Sequence, residues 1–155
     1  MTDTPKKLLV AVDGSEGAGK AASLAAGLAK RLDVPMELVF VFPTDMEALA
    51  GVPGGGVSRE SRKYFVPGAF ETLEKEATEL VFTHAREAAG NNNLIIEETV
   101  LFGMAAHMLI DHANETSGAL LVMSRRGRSH MTEMLLGSVS QRVIQKAHCP
   151  VLLVP

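Results

Sequence analysis

The chain has 155 residues, of which 46% are hydrophobic and 21% charged, which excludes a disordered or fibrous protein and fits a single domain over residues 1–155. A net charge of -3 argues against broad electrostatic capture of nucleic acid, and the lone cysteine, Cys149, excludes an internal disulfide or a zinc site built on several thiolates. Residues 1–7 are polar and no apolar run approaches the roughly 20 residues that span a bilayer, so a cytoplasmic protein without leader or membrane span is expected.

Leu8–Val12 is a continuous apolar run, as expected for a strand covered on both faces. Ala21, Leu24, Ala25, Leu28 and Leu32 recur at helical spacing and predict an amphipathic helix over 16–32. Asp13 and Glu16 stand at capping-box spacing at its start, and Pro35 lies beyond its end. Glu37–Phe42 is a second strand, rich in valine and phenylalanine. From Pro43 to Pro67 the periodicity stops in a stretch with Gly51, Pro53, Gly54, Gly55 and Gly56 and the basic residues Arg59, Arg62 and Lys63. A loop of that length inside a compact domain is functional or mobile.

Helical order resumes with Phe70, Leu73, Ala77, Leu80, His84 and Ala88 and ends near Gly90 and the Asn91-Asn92-Asn93 turn. Leu94–Leu101 is a third strand, and Ala106, Leu109, Ile110 and Ala113 mark a third helix. Ala119–Met123 is a fourth strand, residues 138–148 a last helix with Val139, Val143 and Ala147 on one face, and Val151–Val154 a fifth strand. Strands alternating with helices predict an α/β fold, an open five-stranded parallel sheet of the Rossmann-like kind with helices on both faces. Ligands of such sheets sit beyond the carboxyl ends of the strands, near the switch in strand order. The segments to search are therefore 13–20, 41–45, 102–104 and 123–138.

The first of these, Gly14 to Lys20, nearly satisfies the phosphate-loop pattern G-x-x-x-x-G-K-[ST], but Ala21 stands where the hydroxyl for magnesium belongs. A phosphoryl-transfer enzyme using this loop is one alternative. Asp13 ends the first strand, where a carboxylate can cap the helix, accept ribose hydroxyls or help to hold a metal near phosphates. After the fourth strand comes Ser124-Arg125-Arg126-Gly127-Arg128-Ser129-His130, and Gly137-Ser138 opens the last helix, with Ser138 and Gln141 at capping-box spacing. Open N–H groups at a helix start beside a glycine bind phosphate, and Arg125, Arg126 and Arg128 add charged donors. The same residues also fit a solvated basic turn before an ordinary capped helix.

No G-x-S-x-G or H-E-x-x-H motif is present, and no residue stands out as a general base. His107 and Asp111 are spaced to pair on one helix, His84 reads as a satisfied, half-buried histidine, and His130 lies near the arginine turn. Cys149 reads as a small buried hydrophobe, and Met123 is placed to line an adenine pocket.

The start Leu9-Val10-Ala11-Val12-Asp13-Gly14-Ser15 and the end Met123-Ser124-Arg125-Arg126-Gly127 … Leu135-Leu136-Gly137-Ser138-Val139-Ser140-Gln141 … Cys149-Pro150-Val151-Leu152-Leu153-Val154 resemble the universal stress protein family. The resemblance covers essentially the whole chain, and its C-terminal third is the specific part. The ATP-binding branch has the pattern G-x2-G-x9-G-[ST], whose amides and hydroxyl hold the nucleotide phosphates and ribose. Here the later glycines fall on Gly127 and Gly137 and the hydroxyl on Ser138, while Ser124 replaces the first glycine. The resemblance implies Asp13 near ribose and phosphate, with Mg2+ held through the phosphates, and a backbone contact from Val41 to adenine. It also implies that Ala11, Val12, Met123, Arg126, Val139 and Ser140 complete the site. Ala11 stands where many members have proline, and Arg125-Arg126 where small residues or histidine are frequent.

Members generally dimerise through the last strand, which implies a homodimer through residues 151–154, an apolar edge suited to pairing. The implied function is a cytoplasmic, homodimeric, nucleotide-responsive stress regulator that binds ATP or AMP, hydrolyses ATP slowly at most, and acts on an unknown protein partner. The other alternative is a nucleotide-free interaction module of the same fold, suggested by Ser124 and the 43–66 loop.

Overall fold

Alternating side chains of the apolar runs face opposite ways, so a sheet covered on both sides needs every residue apolar, and the runs become strands. The computed structural model describes residues 3–45, 68–90, 93–127 and 136–155. In chain order these form β1 (Lys7–Ala11), α1 (Glu16–Leu32), β2 (Met36–Phe42), α2 (Ala69–Ala89), β3 (Ile96–Phe102), α3 (Ala105–Glu115), β4 (Ala119–Ser124), α4 (Ser138–Lys146) and β5 (Val151–Val154). Most of the 43–67 loop, from residue 46 on, lies outside the described residues, as do Arg128, Ser129 and His130.

All strands run parallel in the order β3-β2-β1-β4-β5. Leu8 and Val10 of β1, with Met36, Leu38, Phe40, Phe42 and Val122, face α1 and α2. Leu9, Val39, Leu121 and Met123 face the other way, toward Leu109, Ile110 and Ala113 of α3 and Val143 of α4. β3 begins two residues later than expected and is a sheet edge, with Glu97 and Glu98 exposed, which weakens its apolar signal. The last helix stops at Lys146 instead of residue 148, because Ala147 is already extended toward Pro150.

The apolar stripe of α1 is the expected one at Ala21, Ala25 and the partly buried Leu28 but not at its other leucines. Leu24 and Leu32 are exposed, while Ala18, Ala21, Ala22, Ala25, Ala26 and Ala29 are buried. Small side chains let α1 lie close to both the sheet and α2, and the leucines are displaced to its rim. Leu80 of α2 is likewise half exposed, its buried side running through Leu73, Ala77, Val81 and Ala85. Phe70 anchors the start of α2 edge-on against the fully buried Phe42, their ring centroids 5.3 Å apart.

Among the described residues, one charged side chain breaks the apolar rule. Glu37 of β2 is only 3% exposed. Its Oε1 accepts hydrogen bonds from Thr99 Oγ1 of β3 (2.7 Å) and pairs with His112 Nε2 of α3 (2.7 Å). Its Oε2 lies 2.6 Å from Lys7 Nζ, which also holds Glu97 at 2.7 Å. Burial, the largest influence, pushes the Glu37 carboxyl up, but the bonds from Lys7, Thr99 and His112 outweigh it and hold it below its ordinary value.

A carboxyl lowered by folding stabilises the protein above its unfolded pKa, and that contribution fades as pH falls through the folded value. Burial lowers the Lys7 ammonium, but Glu37 and Glu97 outweigh it and raise it, so its contribution is present below its unfolded pKa and fades as pH rises through the folded one. In urea unfolding, the stability gap between the wild type and Glu37→Gln should therefore be widest near neutrality and shrink in acid. A gap that stays constant down to the acid transition would refute this assignment.

Candidate functional site

β1 and β4 are neighbours, yet the chain leaves β1 for α1 on one face and β4 for α4 on the other. Their carboxyl ends part, and a crevice opens between the diverging loops. A cleft of about 230 Å³ lies there. Its apolar wall comes from Ala11, Val39 and Val41, from Ala105 and Leu109 of α3, and from Met123 of β4. Its polar end comes from Asp13, Ser124, Arg126, Gly127 and the start of α4.

The polar end begins where β1 turns into α1. Gly14 has φ +80°, a left-handed conformation that favours glycine, and Asp13 Oδ1 accepts the Ser15 N–H at 2.9 Å. The helix cap is Ser15, whose Oγ accepts the Ala18 N–H at 3.1 Å. The expected cap at Asp13 is thus corrected: the chain needs the Asp13–Ser15 turn before its first helical residue, and the carboxylate stays at the cleft.

The opposite side is the turn after β4. The Ser124 hydroxyl donates to the Arg126 carbonyl, and the Arg126 N–H points back at Ser124 Oγ (3.3 Å). The Ser140 hydroxyl, buried at 2% exposure, reaches the carbonyls of Ser124 and Arg125, both at 3.0 Å. Gly127 faces Asp13 so closely that a Cβ there would lie 3.0 Å from Asp13 Oδ2. The cap of α4 is Gly137, with Ser138 the first helical residue, so the expected Ser138–Gln141 capping box does not form. Glycine has no side chain to cap the first N–H groups of α4, and the residues that carry them, Ser138, Val139 and Ser140, line the cleft.

Val41 has its place by strand parity. The Val12 N–H donates to Val39 O at 2.9 Å, so residues 39 and 41 turn their backbone polar groups toward β1, while Phe42 faces β3 and accepts from Gly103. β1 leaves the sheet after Ala11, so the backbone of Val41 faces the cleft.

The residues that the resemblance assigned to a nucleotide site line this one cleft: Ala11, Val12, Asp13, Val41, Met123, Ser124, Arg126, Gly127, Gly137, Ser138, Val139 and Ser140. Of the three arginines expected as charged donors, Arg125 is not on its lining and Arg128 lies outside the described residues. Ala18, Val39, Ala105 and Leu109 also line it and were missed. Val39 was accessible from its i, i+2 relation to Val41; Ala105 and Leu109 look like ordinary core residues in the sequence.

The Gly14–Lys20 segment makes no phosphate cradle. From Glu16 on it is helix, and Lys20 pairs with Glu16 at 3.4 Å on an exposed face. Gly19 instead leaves room for His84, since a Cβ there would lie 2.9 Å from His84 Cε1. His84 is half-buried as expected, but its Nδ1 has no hydrogen-bond partner among the described residues. His107 and Asp111 are exposed, and no group of three metal-ligating side chains occurs among the described residues. Cys149 is partly buried, and burial pushes its thiol up, which makes it a poor nucleophile. None of the described helices is long and apolar enough to cross a membrane.

A sequence profile of the universal stress protein family matches residues 4–155. Universal stress protein YxiE of Bacillus subtilis is 32% identical over 148 residues, covering 96% of this chain and 97% of its own. Among solved structures, a universal stress protein in complex with cAMP superposes with a TM-score of 0.61 at 22% identity, covering 98% of each chain. The universal stress protein from Archaeoglobus fulgidus in complex with dAMP does so with a TM-score of 0.61 at 23% identity over 100% of each chain.

Proposed function

The chain belongs to the universal stress protein family, and on that premise we propose that it binds an adenine nucleotide in the β1–β4 cleft and acts as a nucleotide-responsive stress regulator. The observation that carries the reading is the two-part chemistry of that cleft. An apolar slot between Val41, Leu109 and Met123 suits a flat base, with the Val41 backbone to read its edge. At the other end, the open amides of α4 and the Gly127 turn suit a phosphate, and Arg126 supplies positive charge. Asp13 lies between them, within reach of ribose hydroxyls.

The relatives crystallised with cAMP and dAMP support a nucleoside monophosphate as the common element. ATP with Mg2+ belongs to the same reading. Asp13 is the one carboxylate on the described lining of the cleft, so a magnesium ion there would take its remaining ligands from phosphate oxygens and water. Of the two features behind the nucleotide-free alternative, Ser124 has its hydroxyl tied to Arg126, and the 43–66 loop lies outside the described residues from residue 46 on. The reading includes a homodimer through β5, a four-residue edge strand beside β4.

Calorimetric titration of nucleotide-stripped protein with AMP, and with ATP in the presence of Mg2+, tests the proposal. At about 100 μM protein, binding tighter than roughly millimolar should give measurable heat, and no heat with either ligand sinks the reading. Sedimentation velocity on the same sample should show twice the chain mass.

A further inference from the structure

We infer that Ser124 and Gly17 form a matched pair that holds the turn over residues 124–127 in its ligand-ready shape, which makes Ser124 a positioning residue for the phosphate end of the ligand. The inference rests on the nucleotide reading above and adds a role to the residue that departs from the family's glycine.

The near limb of the turn is anchored from two sides. Arg125 N–H donates to Val154 O of β5 at 2.8 Å, Gly137 N–H donates to Arg125 O at 2.9 Å, and the Ser140 hydroxyl bridges the carbonyls of Ser124 and Arg125. The far limb, Arg126–Gly127, is the one that approaches Asp13 across the cleft. Ser124 ties this limb back through both polar backbone groups of Arg126, donating to its carbonyl and facing its N–H. A glycine at 124 has no atom with which to do this and leaves the turn freer.

The hydroxyl adopts this position because α1 offers it room. Gly17 lies in the first turn of α1, where glycine is a poor helix former, so its presence needs a packing reason. A Cβ at residue 17 would overlap Ser124 Oγ and come within 3.1 Å of Ser124 Cβ and of Arg126 O. The missing side chain of Gly17 and the added side chain of Ser124 therefore occupy one space. The serine hydroxyl is directed at α1, into the space beside Gly17.

The test is a double-mutant cycle read by thermal unfolding and by titration with AMP and with adenosine, which lacks the phosphate. Ser124→Ala should lower Tm by only about 2–4 °C and lose up to about fivefold in AMP affinity, the worth of one net hydrogen bond, with adenosine affinity unchanged. Gly17→Ala should lower both Tm and AMP affinity, and adding Ser124→Gly should restore most of the Tm because the overlap is gone. Equal changes for AMP and adenosine, or none, overturn the positioning role, and additive Tm effects overturn the pairing. If the wild type binds neither ligand, the nucleotide reading has failed and the positioning role falls with it. The Tm coupling would then still decide whether the two residues share a space.

Discussion

Gly137→Asp is expected to lower AMP and ATP affinity by about 100-fold, the loss of two charge-assisted hydrogen bonds, while leaving the fold as stable as before or slightly more so. The two effects separate because residue 137 is both the cap of α4 and part of the proposed phosphate site. Its φ of -69° and ψ of 160° suit any residue, and the nearest atom to an added Cβ is Arg125 O at an ordinary 3.5 Å. Aspartate is a favoured cap whose carboxylate accepts the first N–H groups of the helix. Those are the groups a phosphate would use, so the protein's own carboxylate would occupy the anion site and repel a second one. Titration with AMP and adenosine, beside a thermal melt, checks this. Adenosine should lose far less, and unchanged AMP affinity would remove α4 from the site.

The second large effect lies at the other end of the sheet. Glu37→Ala is expected to destabilise the protein by about 3–5 kcal/mol, the range for breaking a buried charged pair. For a domain of this size that corresponds to a fall in Tm of roughly 10 °C. Removing the carboxylate leaves the Thr99 hydroxyl and His112 Nε2 without their acceptor and leaves Lys7 with Glu97 alone. Since β1, β2, β3 and α3 each contribute a group, the cost is shared across the sheet instead of being local to one element. Nucleotide affinity at a temperature where the variant is folded should be unaffected, because none of these side chains lines the cleft. A loss below about 1 kcal/mol in chemical denaturation would show that Glu37 is solvated instead of paired.

Much of this was legible in the sequence, and the reasons are specific. The strands of a doubly covered parallel sheet must be apolar at every position, so Leu8–Val12 and Ala119–Met123 announce themselves. Strands of that kind joined by helices leave little choice of topology, and the topology places the crevice at Asp13 and Gly127. Gly127 was readable for the same reason, since its close approach to Asp13 leaves little room for a side chain. The buried side of α1 was less legible: periodicity marks leucines as core, but the nearness of α2 and the sheet assigns the core to alanines.

By itself, then, the sequence determined the fold class, the order of elements, the family and the segments that meet at the cleft, because these follow from local hydrophobic pattern and chain topology. Tertiary structure alone decided which polar groups are used and which are offered. Asp13 yields the helix cap to Ser15, and Ser140 bridges two carbonyls of the turn. Ser124 turns its hydroxyl into the space beside Gly17, and Glu37 is buried with three partners that come from β1, β3 and α3. Hydrogen bonds of this kind join residues far apart in the chain, and their geometry exists only once the sheet has set the distances between them.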